Sequence, residues 1–154
     1  MVSVGKRVKN FTLPATGDQN LSLSDFSGRN LVIYFYPKDN TSGCTREGQD
    51  FRDLSTQFTE AGADILGVSR DSVKTHENFR NKHQFPFHLL SDSEELLCKQ
   101  FDVIREKKLY GRTYMGIERS TFLINPDGVL KQEWRNVRVP GHAQAVLEAL
   151  RDLS

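Results

Sequence analysis

The run Leu31-Val32-Ile33-Tyr34-Phe35-Tyr36 is hydrophobic throughout, and its β-branched and aromatic side chains predict a buried strand. A loop from Pro37 to Gly43 follows, then Cys44, and the residues from Thr45 onward predict a helix. A cysteine at such a strand-to-helix junction has its sulfur beside unpaired backbone N–H groups and the positive end of the helix dipole. This setting favours the nucleophilic thiolate, so the sequence predicts a reactive cysteine rather than an inert buried one.

Strand and helix patterns alternate along the rest of the chain. We predict an N-terminal hairpin within 11–23, strands at 31–36, 63–69, 87–90, 121–124 and 129–137, and helices at 45–60, 72–83, 93–101 and 143–153. Segment 104–118 is predicted to be an exposed loop near the site. This order predicts an α/β fold with a mixed sheet flanked by helices. A chain of 154 residues suits one domain spanning 1–154.

Composition excludes several classes of function. A net charge of +1 gives no basic surface for nucleic acid or an anionic membrane, and no apolar run approaches the roughly 18 residues that span a bilayer. The first residues lack the continuous apolar core of a signal peptide. The two cysteines make no disulfide scaffold, and the histidines show no metal-ligand spacing with them. We therefore expect no metal or other cofactor, and a reducing, cytoplasmic location.

The spacing Pro37-x-x-x-Thr41-x-x-Cys44 resembles the active-site motif of the peroxiredoxins. The wider segment YFYPKDNTSGCTREG (34–48) most resembles their bacterioferritin-comigratory (PrxQ) subfamily. The blocks LLSDSEELLCKQFDV (89–103), GIERSTFLINPDG (116–128) and GHAQAVLEAL (141–150) extend the resemblance in the same order. It implies a thioredoxin fold with the N-terminal hairpin and insertions of peroxiredoxins. It also implies a thiol-dependent peroxidase acting on hydrogen peroxide and organic hydroperoxides.

Peroxide reduction needs a thiolate, donors for the developing charge and shelter from water. Cys44 supplies the thiolate. The Thr41 hydroxyl can accept a hydrogen bond from the peroxide while donating elsewhere, although a turn or capping role is the simpler interpretation. Pro37 can shield the pocket or only end the strand. The N–H groups of Gly43 and Cys44 are further candidate donors, and Gly43 permits a close approach of the backbone.

Two charged residues complete the predicted site. The resemblance assigns Arg119 the role of the active-site arginine, which would stabilise the thiolate and polarise the peroxide. Glu47, one helical turn after Cys44, is a candidate carboxylate that orients this arginine. Its charge opposes thiolate formation, so it makes sense chiefly when paired. Ser42 stands where relatives often have proline, a departure that removes no reacting group.

Attack on peroxide leaves a sulfenic acid that a second thiol must remove. The positions that relatives use for a resolving cysteine hold Gln49 and the segment 78–82, which includes Arg80. Cys98 is therefore either a resolving cysteine or a packing residue. We predict a one-cysteine cycle completed by an external thiol from thioredoxin, glutaredoxin or a small molecule, with a Cys44–Cys98 cycle as the alternative.

Two other functions compete with peroxidase activity. A thiol–disulfide oxidoreductase of the same fold usually requires Cys-x-x-Cys, and Glu47 occupies the second position here. A redox sensor or holdase that performs no catalysis would need an exposed apolar stripe, which the sequence does not show. We expect the protein to be a monomer or a weak dimer.

Overall fold

The computed structural model describes residues 1–153. Its strands are β1 (Thr12–Ala15), β2 (Gln19–Ser22), β3 (Asn30–Phe35), β4 (Ala63–Ser69), β5 (His88–Ser91), β6 (Ile104–Leu109), β7 (Arg112–Ile117), β8 (Ser120–Ile124) and β9 (Leu130–Trp134). Its α-helices are α1 (Ser42–Asp53), α2 (Ser55–Glu60), α3 (Val73–His83), α4 (Leu96–Gln100) and α5 (His142–Asp152). The N-terminal hairpin and the alternation of strands and helices are as predicted.

Seven of these strands form one mixed sheet in the order β2-β1-β5-β4-β3-β8-β9. Strand β3 pairs in parallel with β4 and antiparallel with β8, and β4 pairs in parallel with β5. The predicted mixed sheet is therefore confirmed. A short loop connects the carboxyl end of β3 to α1. Because β3 and β4 are parallel, this loop lies at the edge of the sheet where β4 also ends.

Strand β3 is buried on both faces, which explains its unbroken hydrophobic sequence. Side chains alternate between the faces, so Leu31, Ile33 and Phe35 point into one core cluster. Val32 and Tyr34 point into the other, which also contains inward side chains of α1, α2, α3 and α5. The sheet thus separates two hydrophobic clusters.

Two predicted helices differ in extent from the observed ones. The helix predicted at 45–60 begins earlier, at Ser42, and Leu54 interrupts it, so that it forms α1 and α2. The helix predicted at 93–101 is shorter because Glu95 has a left-handed φ of 63°, which a right-handed helix cannot include. The Asp92 carboxylate instead accepts hydrogen bonds from the N–H groups of Leu97 and Cys98 at the start of α4.

The prediction of a loop at 104–118 is wrong. This segment forms a two-stranded antiparallel hairpin of β6 and β7. Its turn consists of Tyr110 and Gly111, which both have positive φ, at 52° and 77°. Such a two-residue turn matches the right-handed twist of paired strands. The many charged residues of 105–108 concealed a strand that is only partly buried.

Within residues 1–153, no helix is long and apolar enough to cross a membrane. That the whole chain, 1–154, forms a single domain stays a prediction.

Candidate active site

Cys44 lies in the first turn of α1, where Thr41 is the residue immediately before the helix. The first intrahelical hydrogen bond shown runs from the N–H of Thr45 to the carbonyl of Thr41, at 2.9 Å. The N–H groups of Ser42, Gly43 and Cys44 precede it and have no carbonyl of their own helix to bind. These groups, together with the helix dipole, favour negative charge at the Cys44 sulfur. Cys44 itself is only 2% exposed.

Arg119 joins Cys44 to Glu47. It lies between β7 and β8, with Nη2 at 3.4 Å from the Cys44 Sγ and Nη1 at 2.6 Å from Glu47 Oε1. The guanidinium therefore touches the sulfur with one nitrogen while a carboxylate fixes the other. A Cβ atom on Gly43 would lie only 3.2 Å from Arg119 Nη2, so glycine at this position permits the close approach.

The charge on Glu47 depends on two opposing effects. Burial raises the pKa of this carboxyl to about 7, while the Arg119 guanidinium acts in the opposite direction and only partly offsets burial. Glu47 is 1% exposed, and among the described residues its Oε2 atom has no hydrogen-bond partner. For Arg119, burial opposes the charge, but Glu47 and the Cys44 sulfur outweigh it, so the pKa of the guanidinium lies above its ordinary value.

Thr41 and Pro37 lie in the loop that leads to Cys44. The Thr41 hydroxyl donates a hydrogen bond to the carbonyl of Lys38 at 2.9 Å. Since its proton is used in this way, the oxygen is left to accept from another group. Thr41 is exposed and Pro37 is half-buried at the end of β3. The structure therefore brings Cys44, Glu47 and Arg119 into contact and places Thr41 and Pro37 in the adjoining loop.

Cys98 is remote from this arrangement. It is fully buried in the cluster that contains Leu31 and Ile33, on the opposite face of the sheet from Cys44. Burial raises the pKa of the Cys98 thiol far above its ordinary value, and the hydrogen bond and negative charge of Asp92 add to this effect. Both cysteines are unpaired in the described chain. The structure thus places Cys98 among packing residues.

Residues 4–133 match the AhpC/TSA family. The chain belongs to this family. Peroxiredoxin Bcp of Xanthomonas campestris pv. campestris is 57% identical over 143 residues, which cover 92% of this chain and 89% of the relative. The structure of a PrxQ mutant from Xylella fastidiosa, in which a serine replaces a cysteine, superposes with a TM-score of 0.95 at 47% identity, covering 99% of this chain and 98% of the other.

A third comparison concerns ligand complexes. A structure of the Xanthomonas campestris bacterioferritin comigratory protein, from work on its alkyl peroxide reduction activity, has a TM-score of 0.89 at 55% identity. It covers 93% of this chain and 91% of that chain. The predicted resemblance to the bacterioferritin-comigratory peroxiredoxins is confirmed. As a peroxiredoxin, the chain is a thiol-dependent peroxidase and hence an oxidoreductase.

Sequence reasoning missed Lys107, which lies near this peroxiredoxin site. Lys107 reaches from β6 to donate a hydrogen bond from Nζ to the Ile117 carbonyl at 2.5 Å, two residues before Arg119. Burial lowers the pKa of Lys107, and the charge of Arg119 lowers it further. The sequence gives only a weak signal for the hairpin that brings Lys107 here, because Gly111 is the one residue of the pair Tyr110-Gly111 that favours a tight turn.

Proposed function

We propose that Cys44 is the residue oxidised by peroxide. Its thiolate attacks one peroxide oxygen, so that a sulfur–oxygen bond forms as the oxygen–oxygen bond breaks. Sulfur is oxidised by two electrons to a sulfenic acid, and the other oxygen leaves as hydroxide or alkoxide and takes a proton from water. The observation that carries this proposal is the 3.4 Å contact between Arg119 Nη2 and the Cys44 sulfur.

The groups around the sulfur have distinct roles in this step. Arg119 stabilises the thiolate and, as charge moves onto the peroxide oxygens, donates to them. The N–H groups of Gly43 and Cys44 offer further donors at the helix start. Thr41 accepts a hydrogen bond from the peroxide O–H, because its own proton is already donated to the Lys38 carbonyl. Pro37 contributes no N–H and shields the approach to the sulfur.

We assign Glu47 an orienting role rather than a reacting one. Its Oε1 atom binds the guanidinium nitrogen that faces away from the sulfur. A cation fixed by a buried carboxylate keeps one orientation, which holds the second nitrogen against Cys44. The near-complete burial of Glu47 limits competition from water for this hydrogen bond.

An external thiol is proposed to complete the cycle. A reductant thiol displaces the sulfenic oxygen as water and forms a mixed disulfide with Cys44, and a second thiol then releases the enzyme. Reduced thioredoxin, glutaredoxin and small thiols can all perform this exchange. The position of Cys98 on the other face of the sheet supports this cycle over an internal one. A reducing compartment such as the cytoplasm, proposed as its location, would supply such thiols.

A turnover assay tests the proposal. Purified protein would be mixed with hydrogen peroxide, and separately with tert-butyl hydroperoxide, in the presence of dithiothreitol as reductant. Peroxide consumption should be catalytic with both substrates and should be lost in Cys44→Ser. If the wild type consumed peroxide no faster than the Cys44→Ser control, the alternative of a redox sensor, which reacts once and does not turn over, would be favoured instead.

A further inference from the structure

A buried group of polar side chains lies behind the loop that carries Thr41. Asp39 accepts a hydrogen bond from the Tyr36 hydroxyl at 2.6 Å and, through its other oxygen, contacts His76 Nδ1 at 2.6 Å. The second nitrogen of His76, Nε2, lies 2.9 Å from the Leu90 carbonyl. Asp39 and His76 have fully buried side chains. Buried polar groups of this kind are costly unless each is paired, and here each is.

The chemistry of these contacts fixes where protons must be. A carbonyl oxygen only accepts, so His76 Nε2 carries a proton and donates it to Leu90. The Nδ1 atom faces a carboxyl oxygen, so one further proton must lie between His76 and Asp39. The pair is therefore either an imidazolium with a carboxylate or a neutral imidazole with a carboxylic acid. In both forms the two side chains form a strong, short hydrogen bond.

This pair ties the loop to three separate parts of the fold. Through Tyr36 it reaches the end of β3, through His76 it reaches α3, and through Leu90 it reaches β5. The backbone N–H of Asp39 adds a fourth attachment, a hydrogen bond of 2.9 Å to the Asp71 carboxylate. The Asp71 carboxylate in turn accepts from the Ser69 hydroxyl at 2.6 Å. A loop anchored at so many points has little freedom to move.

The anchored residue sits beside the groups assigned to catalysis. Asp39 directly follows Lys38, whose carbonyl accepts the hydrogen bond of the Thr41 hydroxyl. It directly precedes Asn40, which has a left-handed φ of 65°. Asparagine adopts this conformation more readily than other residues that carry a side chain, which suits it to a sharp turn directly after the anchored Asp39. Fixing Asp39 therefore fixes both the Lys38 carbonyl and the direction in which the Thr41 oxygen points.

We infer that Asp39 and His76 form a positioning pair for peroxide, which sets the Thr41 hydroxyl and the loop backbone in place through a shared proton. The inference rests on the proposed peroxidase chemistry at Cys44. Neither residue touches the sulfur or the substrate. Arg119 stabilises the thiolate independently of this loop, so the pair acts on the reaction with peroxide and leaves thiolate formation unchanged.

The experiment compares two reactions of Cys44. Rapid-mixing measurements would give the rate constant for oxidation by hydrogen peroxide. Iodoacetamide would give the rate constant for alkylation, which requires a thiolate and access to the sulfur but no alignment of a peroxide. Asp39→Ala should slow oxidation about tenfold or more, because small displacements of reacting groups cost this much, while alkylation stays within about twofold of wild type. A substitution that only destabilises the fold would change the rate constants for oxidation and alkylation by a similar factor.

A conservative variant provides a rescue. In Asp39→Asn, the amide oxygen still accepts from Tyr36 and the amide nitrogen donates to His76 Nδ1, while Nε2 keeps its proton for Leu90. The same contacts are then made by neutral groups. Asp39→Asn should therefore be oxidised at a rate within about threefold of wild type. Tyr36→Phe removes only the hydrogen bond from the Tyr36 hydroxyl to Asp39, so its rate constant for oxidation should lie between those of Asp39→Ala and the wild type. This variant provides the test if Asp39→Ala folds poorly.

Thr16→Val is a matched control for lost stability. It removes a fully buried hydroxyl that pairs with His88 and with the backbone N–H of Leu89 at the far side of β5. It should lower the unfolding midpoint and leave peroxide oxidation unchanged.

The inference is overturned if Asp39→Ala is oxidised at the wild-type rate, if its oxidation and alkylation rates fall by the same factor, or if Asp39→Asn is oxidised as slowly as Asp39→Ala. Failure of the proposed function would look different, since wild-type Cys44 would then not react with peroxide at all.

Discussion

Cys44 and Cys98 have the same side chain and nearly the same burial, yet their surroundings are opposite in charge. The sulfur of Cys44 lies 3.4 Å from a guanidinium nitrogen at the start of a helix. Cys98 lies next to the Asp92 carboxylate, and burial together with this carboxylate raises the pKa of its thiol. Burial alone would suppress the thiolate at both positions. In the proposed assignment, the sign of the neighbouring charge, rather than exposure, distinguishes the reacting cysteine from the packing one.

The central strand adds a geometric difference to the electrostatic one. Cys44 packs with Val32 and Tyr34, whereas Cys98 packs with Leu31 and Ile33, so β3 lies between them. A disulfide requires Cα atoms about 4.4–6.8 Å apart. Joining these two cysteines would therefore require one of the two cores to open.

The largest effect is expected from Cys44→Ser. A serine hydroxyl is not ionised near neutral pH and is a far weaker nucleophile than a thiolate, so peroxidase turnover should fall roughly thousandfold or more. Peroxide consumption with dithiothreitol measures it, and circular dichroism confirms that the variant is folded. Wild-type turnover in Cys44→Ser would contradict the assignment of Cys44 and the contrast with Cys98 together.

A pH dependence of stability is expected from Glu47. Its pKa is raised by burial from 4.5 to about 7, so the folded state binds a proton that the unfolded state has already lost at intermediate pH. This contribution to stability is present in full below pH 4.5 and is lost as the pH rises through 7, about 3 kcal/mol in all. Urea unfolding of the wild type and of Glu47→Gln across this range measures it.

In Glu47→Gln the neutral amide cannot titrate, so its free energy of unfolding should vary less over the same pH range. Its Oε1 atom can still accept from Arg119, which preserves the orientation of the guanidinium. Parallel curves for the two proteins would show that the pKa of Glu47 is the same in the folded and the unfolded state. The Arg119 charge would then fully offset the effect of burial.

Much of this site could be predicted from residues that are close in sequence. The strand–loop–helix unit around Cys44 carries its own signals, a hydrophobic run followed by a motif and a helix start. The helix predicted at 72–83 corresponds to α3, which begins at Val73 directly after Ser72, whose hydroxyl accepts a hydrogen bond from the Thr75 N–H. Local patterns of this kind reflect backbone and side-chain preferences that act over a few residues.

The pairings over long range could not be predicted in the same way. No spacing rule connects Asp39 with His76, because the fold brings them together through the parallel pairing of β3, β4 and β5. The assignment of Arg119 came from the family resemblance, since an isolated arginine before a strand has no distinguishing pattern. The hairpin at 104–118 was missed because its exposed strands alternate too weakly in polarity to stand out.

Arg119→Ala should slow oxidation of Cys44 roughly 10- to 100-fold, since a charge-assisted hydrogen bond is worth about 1.5–3 kcal/mol. Arg119→Lys keeps the charge but cannot contact Cys44 and Glu47 with two nitrogens in a fixed plane, so it should recover only part of the rate. An unchanged rate of Cys44 oxidation in Arg119→Ala would remove Arg119 from the site.

The smallest effect is expected from Cys98→Ser, which should retain peroxidase turnover within about twofold of wild type when a small thiol is supplied. The reason is the position of Cys98 on the other side of β3, together with burial and the neighbouring Asp92 carboxylate, which keep its thiol protonated. After one equivalent of peroxide with dimedone present, mass spectrometry of the wild type should find the dimedone adduct on Cys44 and unmodified Cys98. The same adduct in Cys98→Ser, at the same yield, provides the control. A dominant peptide joining Cys44 to Cys98 would contradict the one-cysteine cycle, because it would show that the sheet opens during turnover, and a link between two chains would add a functional dimer.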